Sequence, residues 1–348
     1  TPTNTSGTNA TTDTQSDTGD GDTESLASCA GAVPSGTDTT TIGDRQFITD
    51  SDGRVVIPHG VNVVYKREPY YPPEDVFDES DVEQIRGWGF NFVRLGAIWA
   101  GVEPERGEFD QAYLDRIREL VGLFGEHDIS VLVDYHQNLY SHVLGGDGAP
   151  EWAVYTEGEL TDYEYDNVGE WVVNYAKPAV SNALTNFFTN HEGIQDEYAR
   201  AWRHTAETLR DESNVIGYSI MNEPTPGIEM TNFETEQLPR MFNNVIAEIR
   251  AVDTKTPVWV EPSAAAFNLG SPTSLAGIED PAGRTVFSFH NYAPGNKREP
   301  IQHAVDAVER LEMPGVQTEF STGNSQAVST MVNALDAELM GWAYWPYD

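Results

Sequence analysis

Residues 215–224 have the sequence Val-Ile-Gly-Tyr-Ser-Ile-Met-Asn-Glu-Pro, a short β-rich run that ends in an amide and a carboxylate. The first seven residues are typical of a buried parallel strand. Asn222 and Glu223 are side chains that an apolar core would reject. In a barrel of parallel strands, the carboxyl ends of all strands open on one face, where catalytic groups gather. The stretch therefore predicts a strand that delivers Asn222 and Glu223 to such a face.

Seven further runs repeat this pattern along the chain. They span residues 55–64 (after a hairpin turn at Asp52-Gly53), 90–98, 131–136, 258–261, 286–292, 316–319 and 342–345. Nearly all end in a polar or aromatic side chain: Asn62, Arg94, His136, Glu261, His290 with Tyr292, Glu319 and Trp345. Amphipathic helical stretches lie between the runs, at 113–124, 196–209, 238–252 and 301–311. Eight strands that alternate with helices predict an α/β fold, a (β/α)₈ TIM barrel that forms a single catalytic domain over residues 41–348.

The first 40 residues have a different composition, rich in Thr, Ser, Gly and Asp. Such a segment cannot bury enough apolar surface to offset the entropy of ordering, so we predict a disordered tail over residues 1–40. Cys29 is the single cysteine, which makes an internal disulfide impossible. The chain begins with Thr rather than Met. We therefore expect that a leader was removed or that the chain starts at a chosen boundary, and we predict a protein that is secreted or attached to the cell surface.

The charge balance is strongly acidic, with 56 acidic against 20 basic residues and a net charge of -36. The acidic residues are scattered over the chain, whereas a polyanion that docks a basic partner would concentrate them in one block. We interpret the negative charge as adaptation to high salt, because salt screens the repulsion between the acidic side chains. The net negative charge also excludes nucleic acid as a partner, because the two polyanions would repel each other. No apolar stretch is long enough to predict stable membrane insertion, and we expect a monomer.

The chemistry that the strand ends predict is hydrolysis of a glycosidic bond. Retention of configuration needs one carboxylic acid and one carboxylate about 5–5.5 Å apart. Glu223 and Glu319, on the fourth and seventh predicted strands, can face each other across the barrel mouth. Arg94 and Tyr292 are expected to donate hydrogen bonds to Glu319 and hold it ionised. Asn222 is placed to bind the 2-hydroxyl of the sugar.

Other predicted site residues serve orientation and stacking. His136 and His290 are expected to orient the carboxylate pair or contact hydroxyl groups, and Trp345 offers a flat apolar face for a pyranose ring. The segment 138–190 is too long for an ordinary connection between a strand and a helix. It carries aromatic residues that we expect to build a wall of the substrate cleft: Tyr140, Trp152, Tyr155, Tyr163, Tyr165 and Trp171.

Five motifs together resemble glycoside hydrolase family 5. They are Gly-Phe-Asn-Phe-Val-Arg at 89–94, Asp-Tyr-His at 134–136, Asn-Glu-Pro at 222–224, His-Asn-Tyr at 290–292 and Thr-Glu-Phe at 318–320. The resemblance covers residues 45–347 and implies a TIM barrel with Glu223 as acid/base and Glu319 as nucleophile. It also implies a supporting set, namely Arg94, His136, Asn222, His290, Tyr292 and Trp345.

Three segments are similar to the endoglycoceramidase branch of that family. They lie at 60–66 with 69–72, at 136–141 and at 145–152. This resemblance implies sugar contacts from Lys66, Asp134 and Glu261. It favours the head group of a glycolipid as substrate. The branch usually carries a C-terminal β-sandwich, and the sequence ends soon after the eighth predicted strand, which favours a β-glucan instead. The sequence leaves both substrates open.

Two other hypotheses compete with the hydrolase. A catalytically inactive carbohydrate-binding barrel would share the fold, but here both carboxylates and their supporting residues are present. A metallohydrolase would use His136, His290 and nearby acids. No two histidines have ligand-like local spacing such as His-x-x-x-His, so we expect no metal and no cofactor.

Overall fold

The computed structural model describes residues 37–157, 173–227, 231–293 and 298–347. The predicted eight strands are all present and form one closed parallel barrel. They are β3 (His59–Val63), β4 (Phe92–Ala97), β5 (Ser130–Tyr135), β6 (Val215–Ser219), β7 (Val258–Val260), β8 (Thr285–His290), β9 (Gly315–Glu319) and β10 (Gly341–Tyr344). The last strand pairs with both β9 and β3, which closes the barrel. The TIM-barrel prediction is therefore confirmed.

Helices surround the barrel between successive strands. Their bounds are α1 (Glu79–Gly87), α2 (Trp99–Val102), α3 (Gln111–Glu126), α4 (Pro178–Phe188), α5 (Ile194–Leu209), α6 (Leu238–Arg250), α7 (Ala264–Phe267), α8 (Arg298–Leu311) and α9 (Ser325–Ala337). Each long helix buries one apolar stripe, as α6 does with Met241, Val245 and Ile249. Side-chain caps begin several helices, for example Asp78 before α1 and Asp110 before α3. The four predicted helices agree with α3, α5, α6 and α8 within a few residues.

An antiparallel hairpin precedes the barrel, formed by β1 (Thr37–Ile42) and β2 (Arg45–Asp50). It covers the end of the barrel where the strands begin, since Ile48 packs against the first residues of several strands. The prediction that the tail extends to residue 40 is wrong at its boundary, because residues 37–40 belong to β1. The rest of the predicted tail, with Cys29, lies outside the described residues.

The predicted turn at Asp52-Gly53 is present and follows β2. The backbone N–H of Gly53 donates to the carbonyl oxygen of Asp50, and Val55 then bridges to Thr49. Because Val55 pairs with the hairpin, the first barrel strand begins at His59 rather than at residue 55.

The interior of the barrel near the hairpin is apolar. One residue from each of seven strands contributes to this lower cluster, together with Ile48: Phe92, Leu132, Ile216, Trp259, Val286, Val316 and Ala343. The rings of Phe92 and Trp259 are nearly parallel, at 6.2 Å between centroids. A Cβ atom at Gly217 would lie 2.0 Å from Nε1 of Trp259, so glycine is required there. The barrel is therefore a packed core at this end.

The long segment between β5 and β6 packs onto the barrel through its aromatic residues. Tyr140 is buried and its hydroxyl donates to the carbonyl oxygen of Ala153. Trp152 is partly buried and packs edge-on against Trp99, at 5.4 Å between ring centroids. Tyr155 is also partly buried against the core, and a cleft wall built by these aromatic residues stays a prediction. Three further aromatic residues of that prediction lie outside the described residues: Tyr163, Tyr165 and Trp171. Within the described ranges, no helix is long and apolar enough to cross a membrane.

Candidate active site

Glu223 and Glu319 lie at the mouth of the barrel where the strands end, Glu319 at the last residue of β9 and Glu223 four residues after β6. Both side chains are buried, at 3% and 5% exposure. A carboxylate oxygen of each, together with a ring nitrogen of His290, lies within 4.8 Å of the others. Carboxyl groups about 5–5.5 Å apart suit a retaining glycosidase, whereas inverting enzymes separate them by about 6.5–9.5 Å. The spacing therefore fits the retaining geometry.

Arg94 stands at the centre of the polar cluster and is completely buried. Its guanidinium lies 2.8 Å from Asp134, 3.1 Å from Glu261 and 3.2 Å from Glu319. The same group donates to the side-chain oxygen of Asn222 at 2.8 Å. Burial alone would lower the pKa of Arg94, but the surrounding carboxylates raise it above its ordinary value. A permanent positive charge thus holds three acids and one amide, from the ends of four strands, together.

Two donors reach the carboxylate of Glu319. Arg94 donates to Oε2, and the hydroxyl of Tyr292 donates to Oε1 at 2.5 Å. Burial raises the pKa of Tyr292 well above its ordinary value, and the negative charge of Glu319 raises it further. Tyr292 therefore keeps its proton and remains a donor. Both contacts stabilise negative charge on Glu319.

Glu223 is held by its side chain and by its backbone. Its Oε1 atom accepts from Nδ1 of His290 at 2.9 Å and from Nδ2 of Asn268 at 2.6 Å. Its backbone has a φ of 47°, which is unfavourable for a non-glycine residue. Two backbone contacts hold this conformation. The N–H of Glu223 donates to the carboxylate of Glu261 at 2.9 Å, and its carbonyl oxygen accepts from the side chain of Gln137 at 3.2 Å. The carboxylate is therefore fixed in direction before any ligand binds.

Protonation in the cluster follows from these contacts. Burial opposes the charged form of Glu223, but the hydrogen bond and positive charge of His290 lower the pKa of Glu223 below its ordinary value. Burial likewise opposes the charged form of His290, yet the charges of Glu261 and Glu319 raise its pKa to about 10. His290 is then an imidazolium, whose nitrogens have no lone pair for a metal ion.

The remaining predicted residues form one side of the mouth. The rings of His136 and Trp345 stack at 5.4 Å between centroids, and Nδ1 of His136 lies 3.0 Å from Asp134. The ammonium of Lys66 lies 4.8 Å from the centroid of a Trp345 ring and hydrogen-bonds Asn138. The structure thus brings together all of the predicted site residues: Lys66, Arg94, Asp134, His136, Asn222, Glu223, Glu261, His290, Tyr292, Glu319 and Trp345.

Among the residues that sequence reasoning missed, Gln137 and Asn268 contact Glu223 directly. Gln137 donates to the backbone oxygens of Asn222 and Glu223, and Nδ2 of Asn222 donates back to the backbone oxygen of Gln137. Its place directly after His136 was an available signal. Asn268 follows the short helix α7 in a loop, where neither spacing nor composition marks it.

The fold and the carboxylate pair define a class of protein, the retaining glycoside hydrolases, which cleave glycosidic bonds by double displacement. The profile of the cellulase family, glycosyl hydrolase family 5, matches residues 50–348, and the chain belongs to that family.

Relatives and solved structures narrow the resemblance further. Endoglycoceramidase I of Rhodococcus hoagii (strain 103S) is 29% identical over 339 residues, which cover 89% of this chain and 68% of that protein. Endo-glycoceramidase II from Rhodococcus sp. has been solved as a lactosyl-enzyme intermediate, with a TM-score of 0.80 and 29% identity over 87% of this chain and 75% of that one. Its complex with ganglioside GM3 has a TM-score of 0.79 and 29% identity, over 87% and 76% of the two chains.

Proposed function

We propose that this retaining glycosidase is directed at glycolipids and hydrolyses the bond that joins a sugar head group to its lipid. The observation that carries the proposal is the corner of the mouth formed by Lys66, Asn138 and Asp147. Lys66 hydrogen-bonds Asn138 and lies 3.8 Å from Asp147, and Asn138 and Asp147 exchange backbone hydrogen bonds. The three segments similar to endoglycoceramidases thus meet beside Trp345. The GM3 complex of the Rhodococcus enzyme supports the same substrate class.

In the proposed reaction, Glu319 and Glu223 act in two steps. First, a carboxylate oxygen of Glu319 attacks the anomeric carbon, the bond to the leaving oxygen breaks, and Glu223 gives that oxygen a proton. Next, a water molecule attacks the same carbon, its proton passes to Glu223, and the ester to Glu319 breaks. The second step returns the proton to Glu223 and frees the carboxylate of Glu319, both of which the first step used. The cycle therefore needs no cofactor.

The neighbouring residues support these steps through the contacts described above. Arg94 and Tyr292 hold Glu319 ionised for its attack. Asn222 has two amide hydrogens, of which one is donated to Gln137, so the other remains for the 2-hydroxyl of the sugar. Trp345 stacks on a sugar ring. Lys66, Asp134, His136 and Glu261 contact or orient the sugar side of the mouth, and His290 orients Glu223.

The decisive experiment compares two substrates in high salt, a glycosphingolipid and carboxymethyl-cellulose. Release of free oligosaccharide from the glycolipid is expected. Cleavage of carboxymethyl-cellulose with an untouched glycolipid would assign the protein to the β-glucanases instead. Glu319→Gln should lower turnover by at least about 1,000-fold while binding of the glycolipid persists. Binding without turnover by the unaltered protein would indicate the inactive carbohydrate-binding barrel.

A second experiment tests the role of Glu223. Glu223→Ala should keep activity on an aryl glycoside with an activated leaving group, which departs without a proton. Added azide should then attack the glycosyl-enzyme and yield a β-glycosyl azide. If the variant gives an α-glycosyl azide or no azide product, Glu223 is not the acid/base. Activity that survives exhaustive EDTA treatment is expected for a reaction without a metal.

We also infer adaptation to high salt and a secreted or cell-surface, monomeric protein. The support is the net charge of -36, spread over the chain. Screening by salt should raise the melting temperature between about 0.1 and 3 M NaCl. A melting temperature that stays constant over this range would contradict the inference. Fractionation of the producing cells and sedimentation in high salt test the location and the monomeric state.

A further inference from the structure

The two oxygens of the Glu223 carboxylate have different surroundings. Oε1 accepts hydrogen bonds from both His290 and Asn268. Among the described residues, no hydrogen-bond donor contacts Oε2. A carboxylate that accepts two donors on one oxygen takes up a proton most easily on the other. The oxygen that exchanges the proton with the leaving group is therefore Oε2.

Asn268 differs from the other groups that face Glu223 because its side chain is neutral at every pH. The basic groups around Glu223 are His290, His136, Lys66 and Arg94. The acidic and phenolic groups are Glu261, Glu319, Tyr175 and Tyr292. Apart from the permanent charge of Arg94, these groups can change charge with pH, and Glu319 also loses its charge when it becomes an ester during the reaction. The amide of Asn268 donates throughout.

The position of Asn268 is fixed from two sides. It is 8% exposed, and its backbone oxygen accepts from the N–H of Tyr292 at 3.1 Å. Tyr292 in turn donates to Glu319, so Asn268 connects the two carboxylates through one loop. On the other side of α7, the N–H of Ser263 donates to the buried carboxylate of Glu234 at 2.8 Å. The amide is therefore aimed at Glu223 by backbone contacts on both sides of it and not by a bound sugar.

We propose that Asn268 is a positioning residue for the acid/base, which occupies Oε1 of Glu223, directs the exchanged proton to Oε2, and favours the carboxylate between turnovers. The inference rests on the proposed role of Glu223. A hydrogen bond donated to a carboxylate stabilises its charged form. Loss of the amide lets Glu223 keep its proton to higher pH. The alkaline limit of the first reaction step, which requires that proton, then rises.

The test uses Asn268→Leu and the isosteric Asn268→Asp, with Asn186→Leu as control. Asn186 is also 8% exposed and donates its Nδ2 at 2.7 Å, but to the backbone of Tyr155. For a glycolipid, the alkaline limb of the kcat/KM profile should move upward by about one pH unit in Asn268→Leu. In Asn268→Asp it should also move upward, because two carboxyl groups in contact do not both ionise. The control should keep the unaltered profile.

An activated aryl glycoside separates this role from a loss of structure. Its first step needs no proton, so its kcat/KM profile should show no shift of the alkaline limb in either variant. Alkaline limbs that stay at the value of the unaltered protein on the glycolipid, in a folded Asn268→Asp or Asn268→Leu, would overturn the inference. Equal loss on both substrates at every pH would also overturn it. If Glu223→Ala fails the azide test, the proposed function fails first, whatever the Asn268 variants do.

Discussion

The two ends of the barrel interior differ in chemistry although the same strands build both. The lower end, beside the hairpin, is apolar, and the upper end holds a buried cluster of charges. In four strands the two ends are separated by only two residues: Phe92 and Arg94, Leu132 and Asp134, Trp259 and Glu261, and Ala343 and Trp345. Side chains two residues apart on a strand point the same way. In these four strands, a distance of two residues therefore separates the side chains that hold the fold from those that line the active site.

This difference has an energetic meaning. The apolar side chains of the lower end are removed from water when the protein folds. Their contribution to stability depends neither on pH nor on the screening of charges by salt. At the upper end, each charge is tolerated only because others neutralise it, so removal of one member leaves its partners buried and unpaired. Substitutions and changes of pH should therefore affect stability and activity differently at the two ends.

Arg94→Met should produce the largest effect. Because Asp134, Glu261 and Glu319 lose their shared cation, we expect the free energy of unfolding to fall by about 4 kcal/mol and kcat/KM by about 1,000-fold. Urea unfolding and glycolipid hydrolysis measure the two quantities. The control is Arg250→Met, which breaks the buried pair with Asp280 away from the mouth. This control should lose stability but retain kcat/KM. An equal loss of activity in both variants would mean that Arg94→Met acts on activity only through lower stability.

A pH series should reveal the contribution of His290. Its pKa is about 10 in the folded protein and 6.5 ordinarily, so its stabilising effect is complete below pH 6.5 and disappears as pH rises through 10. The free energy of unfolding should fall over this range by on the order of 4 kcal/mol. His290→Gln should lack this part of the pH dependence. A variant with the same slope as the unaltered protein would show that His290 is not the imidazolium of the cluster.

Leu132→Ala tests the lower end. The cavity left by a completely buried leucine should lower the free energy of unfolding by about 3 kcal/mol. Because no titrating group is involved, the difference from the unaltered protein should be the same at pH 5 and pH 9. At temperatures where the variant is folded, kcat/KM on the glycolipid should stay within about twofold. A large drop in kcat/KM would mean that the lower cluster shapes the mouth as well.

Ile48→Val is the mildest test and concerns the hairpin. Ile48 is 3% exposed and belongs to the lower cluster although it lies outside the barrel strands. Loss of one methyl group should lower the free energy of unfolding by about 1 kcal/mol without any change in kcat/KM. Thermal melts resolve such a change. If stability does not change, the hairpin covers the barrel without contributing to its core.

The sequence predicted the barrel well because its upper end interrupts each strand with a polar residue. The pattern failed where stability comes from distant contacts. Thr37 was assigned to the tail because its neighbours are Thr and Asp, yet its hydroxyl donates to the backbone of Ile216, 179 residues away. Asn268 escaped prediction for a similar reason, since it acts on Glu223 through a contact that no local pattern encodes.

The hairpin also decides how the protein could be mounted on a support. Thr37 lies at the end of the barrel opposite to the mouth, where its hydroxyl donates to the backbone oxygen of Ile216, the second residue of β6. A chain fixed to a bead at Thr37 would point its open end outward. Large micelles or vesicles could then approach the immobilised enzyme without obstruction from the matrix.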